Sequence, residues 1–312
     1  MRPRDVLLAT LIAAIWGFNF VVIEVGLDSF PPLLFAALRF VAAAVPAVFF
    51  LRRPRVPVRW LWLVGLPLGV GQFGLLFLGM RMGMPAGLSS LVLQTQALFT
   101  IVFAGLLLRE RLGRRQAAGM LVAFGGVALI GLDFGQGGPL PAFVLCVVGA
   151  SMWGLANVAM RRMNQTAAEP VDALAFMVWM SLVPPLPLLA LSLVFEGPAA
   201  GLRALTHLTL TGVGSLAYIA YLSTLVGFGL WGWLMRRYEA GTVAMYSLLV
   251  PPFGIVSAML VLGERVGAVR WLAAVLVIGG VAAGSVRRSR PAPPPPAEHR
   301  PDGDRLSRVA RV

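Results

Sequence analysis

The fold class the sequence predicts is an all-α integral membrane protein, with ten transmembrane helices arranged as two inverted five-helix repeats, and three observations predict it. Of the residues, 58% are hydrophobic and 12% charged, which is far too apolar, and carries about half the charge, for a domain that faces water. The apolar runs are long: no residue between Gly87 and Leu108 is charged, and a helix of that length spans roughly 30 Å, the thickness of a bilayer's hydrocarbon core. Finally, the stretch Pro85 to Leu112 is written again as Glu239 to Val266. Ala86-Gly87, Phe99, Ile101-Val102 and Glu110-Arg111 match Ala240-Gly241, Phe253, Ile255-Val256 and Glu264-Arg265 at a constant offset of 154.

The same register runs on into the next apolar segment, where Gly125-Gly126-Val127-Ala128 meets Gly279-Gly280-Val281-Ala282. A weaker echo opens the two halves, Trp16-Gly17-Phe18-Asn19 against Trp153-Gly154-Leu155-Ala156-Asn157, with one residue inserted. Duplication of a whole membrane unit is the usual sequence trace of a transporter.

Hydropathy places the ten spans at about Asp5 to Gly26, Leu33 to Leu51, Trp60 to Met80, Ala86 to Leu108, Gln116 to Leu132, Pro141 to Met160, Asp172 to Phe195, Leu208 to Met235, Ala240 to Leu262 and Val269 to Val286. The start, Met1-Arg2-Pro3-Arg4 before an apolar run, is read as an uncleaved first span, because more apolar helices follow instead of a hydrophilic chain. Arginines set the orientation. Arg2, Arg4, the Arg52 to Arg59 link, the Arg109 to Arg115 link, Arg161/Arg162, Arg236/Arg237 and Arg287/Arg288/Arg290 fall on one side, which the positive-inside rule assigns to the cytoplasm. Both termini are therefore expected inside. An odd number of spans per half then turns the second copy upside down relative to the first. The domain reading is 1–135 for the first repeat, 136–288 for the second, and 289–312 for a Pro/Arg-rich cytoplasmic tail, expected to be disordered.

Charge and motifs exclude several functions. The formal charge of +13 would suggest nucleic acid in a soluble protein, but the basic residues are all arginine and cluster in the links, where they set topology. Membrane lipids are the expected partners, the anionic lipid heads meeting the arginines of the tail. Cys146 lies alone inside an apolar run and is given no redox role. The chain has no lysine, its two histidines are His207 in a link and His299 in the tail, and no HExxH, P-loop or Gly-x-Ser-x-Gly pattern occurs. No catalytic residue, metal or cofactor is expected.

Polar residues inside the spans cost insertion energy unless they face protein or a water-filled cavity, so they define the candidate pathway. Trp16 and Asn19 share a face of the first helix, and Trp153 and Asn157 share one on the sixth, each pair offering an apolar wall beside a donor and an acceptor. Interface anchoring for the indoles and helix-helix bonding for the amides are the competing structural roles. Gln94 is one turn from Ser90, whereas Gln96 points elsewhere; Gln72, Tyr218, Tyr221, Tyr246 and Ser247 complete the expected lining. Glu24 and Arg39 flank a short link and are read either as an ion pair locking that hairpin or as a gate, with Arg39 also able to grip a substrate carboxylate. Prolines within spans (Pro46, Pro67, Pro184, Pro185, Pro187, Pro251 and Pro252) are expected to kink their helices.

At these residues the chain resembles the EamA-type branch of the drug/metabolite transporter superfamily. The resemblance covers nearly everything before the tail and is carried most specifically by Trp16 to Ile23, Pro31-Pro32-Leu33, Leu38-Arg39-Phe40, Met84 to Leu88, Ser90 to Gln94, Glu110-Arg111-Leu112 and Ser247 to Pro251. It implies two inverted five-helix repeats in a bacterial cytoplasmic membrane, and export of small amino acids or metabolites, of the O-acetylserine and cysteine kind, by alternating access. The second half departs from the first where Leu248 replaces Gln94. Proton coupling, antiport of another solute and facilitated efflux all stay open. So do export of drugs or other metabolites within the superfamily and, from a different class, an intramembrane enzyme or a receptor.

Overall fold

The structure, a computed structural model, describes residues 1–109, 113–135 and 139–285. The Glu110-Arg111-Leu112 end of the first repeat copy and the Pro/Arg-rich tail lie outside the described residues. Within them every regular element is helical. Eight helices are long and apolar enough to cross a membrane, namely α1 Pro3–Leu27, α3 Val58–Arg81, α4 Ala86–Leu108, α5 Arg114–Phe134, α6 Leu140–Thr166, α7 Ala173–Phe195, α9 Leu210–Arg237 and α10 Thr242–Val261. Two shorter apolar helices, α2 Pro32–Val48 and α11 Ala268–Ser285, join them. Hydropathy anticipates all of these, although α6 runs on past Met160 to Thr166. It does not anticipate α8 Pro198–Thr206, which is too short to span and has only Ala204 buried.

Five of the long helices are not regular α-helix along their length, α7 being split into Ala173–Met180 and Pro185–Phe195. In α3 the segment Leu66–Gly74 is π-helical, and in α9 so is Tyr218–Val226. The first has a local cause: Pro67 lacks an N–H, and its ring crowds the carbonyl of Leu63, which favours the wider turn. In the second, the Thr224 hydroxyl donates to the Ile219 carbonyl five residues back, at 2.7 Å. Helix α4 is split into Ala86–Leu93 and Gln96–Leu108, and α10 carries a 3₁₀ turn, Met245–Leu249, ahead of Val250–Val261. The offset that relates the repeat copies carries Gln94 and Thr95 onto Leu248 and Leu249. Both breaks therefore fall at the same place in the repeat, as do the two π segments within two residues. Pro185 opens the second part of α7 and Pro251 follows Val250 at a segment start, where a missing N–H costs least, whereas Pro46 lies inside α2.

Packing repeats this relation. A methyl group built on Gly17 of α1 would lie 2.5 Å from Phe253 Cβ of α10, and one built on Gly154 of α6 would lie 2.7 Å from Phe99 Cβ of α4. Trp16-Gly17 echoes Trp153-Gly154, and Phe99 maps onto Phe253, so each half's first helix presses a glycine onto the other half's fourth helix. Without a hydrophobic drive between helices in lipid, such small-residue contacts supply the close packing. One large core, holding Phe35, Phe40, Phe77, Leu88 and Leu91, runs through the centre. Large apolar side chains such as Leu7, Leu106, Leu121, Leu193, Leu210 and Leu260 face outward, as a lipid-facing surface requires.

Candidate transport site

Arg39 lies at the centre of the polar interior. It stands on α2, is 3% exposed, and is held from two sides. Its Nη2 donates to Thr224 Oγ1 at 3.0 Å, and its guanidinium lies 3.7 Å from the Phe73 ring centroid and 5.4 Å from that of Phe40. Thr224 belongs to the π segment of α9 and Phe73 to the π segment of α3, so both irregular segments converge on one cation. The Phe73 face offsets part of the cost of a buried charge through its quadrupole. Nε and Nη1 of Arg39 have no hydrogen-bond partner.

The expected pairing of Arg39 with Glu24 is not made. No ion pair among the described residues joins them; Glu24 is only partly buried, leaves Oε2 without a partner, and answers electrostatically to Glu264, Asp28 and Arg81. The physical reason is reach. Arg39 points inward to the π segments while Glu24 stays at the end where α1 turns into α2. Hairpin proximity in sequence therefore misleads here.

Two more unpaired amides lie in this interior. Gln72, fully buried beside Phe73, has a partner for neither its oxygen nor its nitrogen, and the buried Asn19 leaves its Oδ1 free. Asn157 is different: its amide donates to Gln96 Oε1 at 3.2 Å and Thr100 Oγ1 at 3.1 Å. It is thus tied to α4 and not joined to Asn19. The helix breaks meet through Gln94, whose amide donates to the Ser247 carbonyl of the 3₁₀ turn at 2.7 Å. The Ser247 hydroxyl bonds locally to Ala244.

The aromatic residues separate into packing and surface roles. Trp16 donates its indole N–H to the Ser223 carbonyl at 3.0 Å and stacks obliquely on Phe228 and Trp231. Tyr218 donates to the Ile15 carbonyl at 3.0 Å, so α1 is clamped onto the second π segment at two places. Trp153 packs partly buried against the two larger apolar clusters. Tyr246 joins Trp16 around Ile12 and Leu234 at the other end of α1. Tyr221 is 44% exposed and does not face the interior.

Sequence reasoning missed Phe73, Thr224 and Thr100, since an apolar ring and two hydroxyls within apolar helices carry no signal until their partners are known. Glu264 and Glu196 each cap a helix far away in the sequence. Glu264 accepts from the Ala86 and Gly87 N–H groups at 2.7 and 3.2 Å, and Glu196 from Leu33 and Leu34 at 2.6 and 3.2 Å. The first turns of α4 and α2 follow Pro85 and Pro31, which offer no side-chain cap, so carboxylates from the second half satisfy these otherwise orphaned donors. Burial raises the Glu264 carboxyl above its ordinary range, and the two N–H groups pull it back. An open groove of about 760 Å³ at the same end is lined by Asp28, Ser29, Arg81, Glu196, Arg203 and Thr209. Among the described residues no three His, Cys, Asp or Glu side chains gather as a metal site needs.

The EamA-like transporter family matches residues 4–132 and 140–285. A relative in Escherichia coli strain K12, named "Probable amino-acid metabolite efflux pump", is 41% identical over 283 residues, covering 90% of this chain and 94% of its own; that of Salmonella typhimurium, with the same name, is 42% identical over the same shares. A "Probable terminal-alkyne amino-acid exporter" of Streptantibioticus cattleyicolor is 26% identical over 85% of this chain and 88% of its own. A protein of known crystal structure aligns with TM-score 0.59 and 19% identity over 91% of this chain and 98% of that one, a likeness of fold. With two family matches covering most of an all-helical, strongly apolar chain, the protein belongs to the EamA-like transporter family and is a multi-pass membrane transporter, not an enzyme.

Proposed function

We propose that this chain exports small amino acids or their derivatives, of the cysteine and O-acetylserine class, across the bacterial cytoplasmic membrane by alternating access. In this reading ten spans form two inverted five-helix repeats, 1–135 and 136–288, that rock about a site near the midplane. Residues 289–312 are a cytoplasmic tail and both termini face the cytoplasm. The observation that carries the reading is the convergence of the two π segments on Arg39, whose Nε and Nη1 have no partner; the Asn19 oxygen and the Gln72 amide are buried without partners as well. Buried donors and acceptors without partners are costly in an apolar interior and are retained where a solute supplies the missing bonds. Irregular helix at equivalent places of two repeats is the arrangement expected around a transport site. The two 41–42% identical relatives are named as probable amino-acid metabolite efflux pumps, which supports a cargo derived from amino acids.

Counterflow in proteoliposomes tests it. Vesicles loaded with unlabelled cysteine or O-acetylserine should accumulate the labelled solute well above protein-free vesicles. Aromatic amino acids serve as a comparison for breadth. Failure of every amino acid to exchange would remove this substrate class and leave drugs or other metabolites as the cargo.

A further inference from the structure

We propose that Arg39 is the subsite for the free carboxylate of the transported amino acid, an assignment that rests on the export reading above. A guanidinium presents its donors along two edges, one shared by Nε and Nη2 and the other by Nη1 and Nη2. Thr224 uses one of the two N–H bonds on Nη2, while Nε and Nη1 are unused. Whichever bond Thr224 takes, one complete edge with two parallel donors stays open. That edge matches the two oxygens of a carboxylate.

The energetics argue against a purely structural role. A guanidinium that is 3% exposed, in a chain that spans a membrane, carries a desolvation cost that one hydroxyl and one ring face return only in part. None of the ion pairs among the described residues involves Arg39. The protein thus holds a cation with an open donor edge in its interior. Phe73 and Phe40 meet the cation through their rings, 3.7 and 5.4 Å from its central carbon to their centroids, and neither can bond to the in-plane donors that are left over. Asn19 Oδ1 and Gln72 Oε1 are further buried acceptors without a partner. Because Phe73 and Thr224 come from the third helices of opposite repeat copies, a carboxylate on Arg39 would touch the cation that both halves hold.

The experiment compares each amino acid with its own carboxamide, which keeps the ammonium and side chain but replaces the anion. In proteoliposome counterflow, wild-type protein should exchange cysteine at least about tenfold faster than cysteinamide, the scale of losing a charge-assisted hydrogen bond. Arg39→Gln, compared at equal reconstituted amount, should bring the acid down to the rate of the amide without slowing the amide further. Arg39→Lys, which keeps the charge but not the fork, should fall in between. Equal exchange of acid and amide by wild type overturns the subsite, as does an equal slowing of both by Arg39→Gln, which is what a structural role gives. If Arg39→Gln fails to reach the membrane, the wild-type ratio alone decides. Wild type that exchanges neither compound defeats the export reading, and the subsite with it.

Discussion

Asn19 and Asn157 present the same side chain at echoed positions, yet their surroundings assign them different consequences. Asn157 is bonded to Gln96 and Thr100, whereas Asn19 leaves its Oδ1 unpaired. Asn157→Leu would take the donor from the partly buried Gln96 Oε1 and from Thr100 Oγ1, a loss of about 1 kcal/mol or somewhat more. Thermal unfolding in detergent should therefore show a melting temperature lower by several degrees. Asn19→Leu removes an atom that bonds to nothing in this structure, so the protein should melt as wild type does while losing export. Wild-type melting of the Asn157 variant, or wild-type export by the Asn19 variant, would refute the corresponding half of this contrast. The sequence made both amides legible because polar atoms in apolar helices stand out. Their partners were not legible, since Gln96 is 61 residues from Asn157 and Thr224 is 185 residues from Arg39. Arg39 was matched to Glu24 on local grounds, and distant elements claimed it instead.

At the scale of the helix, hydropathy recovers where spans lie because insertion depends on summed side-chain transfer, which a window over the sequence measures. Breaks within a span depend on backbone hydrogen-bond register, which that sum does not contain. Pro67 and the Pro251-Pro252 pair mark two of the irregular places. Gln94-Thr95 and Tyr218–Val226 contain neither proline nor glycine, and nothing local announces them. The glycine contacts are similarly visible only in pairs. Gly17→Ala and Gly154→Ala each place a methyl where Phe253 or Phe99 already stands. Each should destabilise by about 1–3 kcal/mol through overpacking, and by similar amounts because the two crossings correspond. Gly125 has open space around its α-carbon, so Gly125→Ala should be neutral or slightly stabilising, by about 0.4–1 kcal/mol from the unfolded chain. Melting curves of the three variants check the ranking, and a Gly125 variant as damaged as the other two would contradict it.

For the whole molecule, the arginine distribution requires that the link after α5 and the link after α6 lie on opposite sides of the membrane. A reporter active only outside should report from a fusion within 133–139, and one active only inside from a fusion within 163–169; the reverse pattern sinks the proposed orientation. At the end bearing the groove the halves are joined by the Glu196 and Glu264 caps on α2 and α4 and by a hydroxyl pair, Ser29 Oγ and Thr209 Oγ1 at 2.8 Å. Alternating access requires these contacts to part once per cycle. The Ser29–Thr209 pair is close enough for cysteines at both positions to bridge with little backbone movement, and replacing the free Cys146 by alanine leaves no competing thiol. In the Cys146→Ala, Ser29→Cys, Thr209→Cys protein, oxidation should abolish counterflow, and reduction should restore the rate of the Cys146→Ala parent. Exchange at the parent rate by protein that is fully cross-linked would mean that this end stays joined throughout the cycle, and the rocking mechanism would have to be abandoned for a path that leaves Ser29 and Thr209 together.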